Sequence, residues 1–140
     1  MAFTGNWTTN TFKTGLMDGT FNFTSGSFYL ALYTNSATLD ATTTAYTATG
    51  EASGGNYVAG GNLLTIAQVP TVGNGDTAYI SFDNTSWTGA ITARGALIYL
   101  SGGGNPAVCV LDFGADKTST NTFTVQFPAV TNTSAIIRIS

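Results

Sequence analysis

Apolar residues recur at every second position along much of this chain, in short runs broken by Gly, Asn and Asp. Thr122 to Phe127 shows the pattern most plainly. Phe123, Val125 and Phe127 fall on one face, and Thr122, Thr124 and Gln126 on the other. Side chains of a strand alternate between faces, so this period selects a half-buried β-strand and not a helix. Phe28 to Tyr33 sets Phe28, Leu30 and Leu32 against Tyr29 and Tyr33, and Ala78, Ile80 and Phe82 alternate with Thr77, Tyr79 and Ser81. Ile91 to Leu100 and Ala107 to Phe113 are more continuously apolar, as strands covered on both faces are. Ala135 to Ile139 reads as a short terminal strand pinned in a sheet.

Gly73–Asp76, Asp83–Ser86, Ser101–Pro106 and Asp116–Asn121 separate these runs and are expected to be turns, because Gly, Asn and Asp tolerate positive φ. About eight strands at this spacing predict an all-β, single-domain β-sandwich, most simply a jelly roll, over residues 1–140. One short helix is expected in the N-terminal segment, residues 1–20. Thr9 or Asn10 caps Thr11 to Asp18, and Gly19 ends it in the left-handed conformation. Phe12 and Leu16, four apart, form its docking face.

Residues 35–61 depart from the pattern, being almost entirely Ala, Thr, Ser, Gly and Asn around Leu39, Tyr46, Tyr57 and Val58. A loop this long is uncommon in a compact domain. Three readings are open: a protruding arm with short strands at 44–48 and 56–60, a segment ordered by a neighbour, or a meandering surface loop. An interface role is favoured, since the segment carries so little solubilising charge.

Charge and residue usage remove several classes of function. Charged residues are 8% of the 140, against the usual quarter, and the net charge is −3. With four basic residues (Lys13, Arg94, Lys117 and Arg138), no basic footprint exists for nucleic acid. No apolar run spans a bilayer, and Met1 to Gly5 does not open a secretion signal, so a reducing cytoplasm is the expected place of synthesis. The lone Cys109, within Ala107 to Leu111, is expected to be a buried, inert thiol.

No catalytic constellation emerges. The chain has no His, which removes the commonest general base and metal ligand. Neither Lys13 nor Lys117 neighbours a Ser in a recognisable motif. Asp112-Phe113-Gly114 spells a kinase triplet without the rest of that machinery, and Gly102-Gly103-Gly104 lacks the Lys that follows a phosphate cradle. Asp112 with Asp116, or Asp76 with Asp83, lacks the dense acidic spacing of a calcium loop. No cofactor or metal is therefore expected. Four Asn-x-Ser/Thr matches (Asn6, Asn22, Asn84 and Asn132) read as by-products of the composition. Arg94 and Arg138, each within a strand-like run, are expected to pair with acidic residues or with a partner. Trp7 and the tyrosines are the best candidates for exposed anchors, while Trp87 is expected in the core.

Several segments together resemble small virion structural proteins of tailed bacteriophages. They are Met1-Ala2-Phe3-Thr4-Gly5-Asn6, Phe28 to Thr34, Thr42 to Tyr46, Tyr57 to Gly61, Ile91 to Tyr99 and Val110 to Gly114. The resemblance implies a capsid decoration or cement protein without catalytic residues. It also implies a homo-oligomer (a trimer by analogy, before a dimer) on the capsid surface, bound to the major capsid protein. A tail, baseplate or fibre component that binds host glycan through Trp and Tyr is the alternative. Phe3, Trp7, Phe12, Leu39, Tyr46, Tyr57, Arg94 and Arg138 are the candidate interface residues. On this reading, deletion of residues 2–9 is expected to leave a folded domain that no longer binds capsids.

Overall fold

The computed structural model describes residues 3–73 and 75–139. Asn74, inside the first expected turn, and Met1, Ala2 and Ser140 lie outside the described residues. The chain is all-β with one helix, as the alternation predicts.

The largest sheet is antiparallel throughout, in the order β1 (Trp7–Thr8), β8 (Ala107–Ser119), β7 (Ile91–Leu100), β2 (Phe28–Tyr33) and β3 (Asn62–Leu63). A second sheet orders β10 (Ile137–Ile139), β5 (Ala78–Phe82) and β4 (Ile66–Val72), and β6 (Thr85–Thr88) pairs with β9 (Thr122–Val125). Sheets of five, three and two are more broken up than the two four-stranded sheets of a regular jelly roll.

The main core lies between the five-stranded sheet and the two smaller ones. Phe28, Leu30 and Leu32 of β2 and Ala96 and Ile98 of β7 meet Ile80, Phe82, Trp87, Phe123 and Val125 across it. Each large side chain buried here stabilises the fold by roughly 1.5–3 kcal/mol. The opposite face of the same sheet is also covered. Ala31, Tyr33, Leu97, Tyr99 and Val110 form a second cluster with Phe3, Ala37 and Leu39. Double coverage explains why β7 and the first half of β8 are apolar on both faces.

Helix α1 (Asn10–Asp18) forms as its caps predict: the Thr9 hydroxyl accepts from the Phe12 N–H at 3.1 Å, and Gly19 closes the end at φ 84°. The glycine-rich hairpin tip between β7 and β8 is also as expected. There Asn105 sits at φ 54° while its side-chain oxygen accepts from the Gly102 N–H at 2.8 Å.

Some expectations require correction. The turn placed at Asp83–Ser86 is the start of β6, whose Thr85 pairs with Val125. Strand β8 runs on to Ser119, where a loop was expected from Asp116, because β7 continues to pair with it as far as Ile91–Ser119. The terminal strand begins at Ile137, two residues later than the pattern suggests.

Residues 35–61 do not project, and the strands expected at 44–48 and 56–60 are absent. Only Ala45 forms a bridge in the first stretch, to Pro106. The meandering surface loop is the reading the structure adopts: Ala37, Leu39 and Tyr46 cover the outer face of the large sheet, while Ala52 and Tyr57 pack against the main core. Ala52 N–H donates to the Leu32 carbonyl at 2.8 Å, Ala107 N–H to Thr44 at 2.9 Å, and Asn56 N–H to Thr88 at 2.9 Å.

Candidate interaction surfaces

The outer segment is locked down through one carboxylate. Glu51 forms an antiparallel bridge with Tyr33, which brings its side chain among the tyrosines of the large sheet. Its Oε1 accepts from the Tyr46 hydroxyl at 2.7 Å, and its Oε2 accepts from the Tyr57 hydroxyl at 2.5 Å and the Gly60 N–H at 2.8 Å. The Tyr57 oxygen in turn accepts from Leu32 N–H at 2.9 Å, while the Tyr99 hydroxyl donates to the Gly60 carbonyl at 2.7 Å. Tyr46 packs on Tyr99 with centroids 4.9 Å apart, and Tyr57 on Trp87 at 5.5 Å. Burial pushes the Tyr46 and Tyr99 phenols up to about 12, and Tyr33 and Tyr57 higher still, with the nearby Glu51 charge adding to the effect. These phenols stay protonated at neutral pH, so the network holds structure and carries no proton. Tyr46 and Tyr57, two of the expected interface residues, are half-buried and bonded to Glu51.

Three of the expected interface residues face inward. Phe3, Phe12 and Leu39 are buried within the protomer, although Phe12 also lines a groove beside α1. Phe3 bridges in parallel to Leu39 and packs on β7, where a Cβ at Gly95 would meet its ring at 2.4 Å. Phe12 anchors α1 on Phe21 and Phe23, with centroids 5.0 and 5.8 Å away. Arg94 forms an ion pair with Asp112 at 3.1 Å and lies 5.9 Å from the Phe3 ring centroid, so it too serves the protomer. Arg138 donates to the Thr133 carbonyl and, among the described residues, makes no ion pair, which leaves the partner contact of the two expected pairings. Trp7 is 39% exposed, and Trp87 is buried as expected.

Exposed apolar side chains are spread over the surface, Val58, Leu63, Val69, Val72 and Val130 among them, and one group of them lines a groove on one flank. Helix α1, β1 and β10 enclose a groove of about 660 Å³ whose walls include Thr8, Phe12, Leu16, Met17 and Ile139. A second recess of about 370 Å³ shares Phe12, Leu16, Ile137 and Ile139 and reaches Phe21 and Ile80. Met17 is 83% and Ile139 53% exposed. Leu16, expected to dock together with Phe12, is instead 37% exposed, and Met17, one residue on, turns about 100° further round the helix into solvent.

Among the described residues no group of three or more His, Cys, Asp or Glu could hold a metal ion. Burial drives the Cys109 thiol up to about 12, which leaves it unreactive. No helix among the described residues is long and apolar enough to cross a membrane. No family model, curated protein or solved structure matches the chain.

Proposed function

We propose that this chain is a non-enzymatic structural protein of a tailed-phage virion, a decoration protein that binds the major capsid protein lattice as a homo-oligomer and stabilises the head. The resemblance of its segments to small virion proteins supplies the virion. One observation supports action through contact: the flank where Leu16, Met17 and Ile139 stand exposed around a groove. Grouped apolar side chains, Met among them, suit a protein interface. Thr- and Asn-rich surroundings suit it as well, since neutral groups avoid the cost of desolvating ions when surfaces meet.

Capsids assembled without the protein, incubated with wild type and with a Leu16→Asp/Met17→Asp variant, test the assignment. The variant is expected to lose occupancy at least tenfold with an unchanged urea midpoint; undiminished occupancy overturns the surface. Counting copies per particle separates head from tail, because a decoration protein is stoichiometric with the lattice and a tail or fibre component far scarcer.

A further inference from the structure

The flank groove is lined by cations and by no anion. Of the four basic residues, Lys13 and Arg138 both line it, and none of the seven acidic residues does, in a protein of net charge −3. Both side chains are exposed. The groove also borders open sheet edges: among the described residues β10 pairs only with β5, and β1 only with β8. Such edges are templates for another strand.

We propose that the groove takes an extended segment of a partner protein, with carboxylates alternating with apolar residues, added as a strand along β10. This rests on the reading of the flank as a docking surface. The alternation follows from register. On an added strand, the residue opposite Arg138 lies on the same face as the guanidinium, and a carboxylate there pairs with it. The residues opposite Ile137 and Ile139 lie on the other face, beside two apolar side chains. Lys13 of α1 adds a second cation at the same mouth.

An NMR titration of the full chain with the blocked pentapeptide Val-Glu-Val-Glu-Val tests this. Shifts are expected to centre on Ile137–Ile139 and Lys13 and to weaken with added salt. The Val-Lys-Val-Lys-Val peptide is expected to bind at least tenfold more weakly, with that order reversed by Lys13→Glu/Arg138→Glu, whose substituted side chains are exposed. A backbone N-methylated peptide is expected not to bind. Equal binding of both charges, or undiminished binding of the N-methylated peptide, overturns the proposal. Dodecanoate binding where no peptide binds shows a site for an apolar anion instead. A dimer formed through β10 without peptide assigns the edge to a second copy. Should no peptide bind while Leu16→Asp/Met17→Asp still abolishes capsid occupancy, strand addition falls and the docking surface stands.

Discussion

Glu51 holds three donors at once, so its removal strands more than its own charge. A Glu51→Ala change leaves the Tyr46 and Tyr57 hydroxyls and the Gly60 N–H to find water in a half-buried site. Hydrogen bonds to a charged group contribute about 1.5–3 kcal/mol each before compensation, and a net loss of about 2–4 kcal/mol is expected as a lower urea midpoint at unchanged slope. The tyrosines make the same site sensitive to base. Their folded pKa values lie above the ordinary 10.0, so above pH 10 the unfolded chain releases protons that the folded chain keeps. This stability is complete below pH 10 and is lost as pH rises from about 10 to about 12. Ionisation of Tyr46 and Tyr99, followed by their ring-carbon NMR shifts, is expected to appear together with unfolding; their titration at pH 10 in a folded protein contradicts it. The residues of this network were visible in the sequence only as a list of tyrosines. Glu51 was invisible because the segment that holds it and its partners at 46, 57 and 60 has no regular period, and only its bridge to Tyr33 of β2 fixes where the carboxylate lies.

Helix α1 is the element best specified by its own residues. Thr9 is buried, caps the Phe12 N–H, and donates its hydroxyl to the Ala107 carbonyl at 2.9 Å, which ties the helix to β8. Thr9→Ala is expected to cost about 1–2 kcal/mol in chemical denaturation, and Thr9→Ser to restore most of it. Thr9 and Gly19 were legible because a cap is a local device. Strands behaved differently. Ile91–Leu100 and Ala78–Phe82 match their apolar patterns end to end, whereas β4 and β6 escaped them. Strand β4 carries Pro70, tolerated because β4 is an edge. Strand β6 carries one buried residue, Trp87, among Thr and Ser that also favour turns. Neither property is visible until the neighbouring strands are known.

At the scale of the molecule, the two cores share one sheet, and the N-terminal segment closes the outer one. Deleting residues 2–9 is therefore expected not to yield a trimmed domain, against the expectation from the sequence. It removes buried Phe3, strand β1 and the Thr9 cap together. Losing Phe3 alone costs about 3–5 kcal/mol, a large share of the roughly 5–15 kcal/mol that holds a domain. The deletion is expected to abolish cooperative unfolding and the dispersion of amide resonances; a well-dispersed spectrum would argue that the outer core is dispensable. Low charge, which looked at first like a surface property, belongs partly to this architecture: the sheet is covered twice, which leaves few positions for ions. The pairing of Trp7 with Val110 also sets an order of events during synthesis. Strand β1 has its partner about a hundred residues behind it. At ~5–20 residues per second it waits on the order of 5–20 s before it can pair. Closure of the large sheet is set by the arrival of β8.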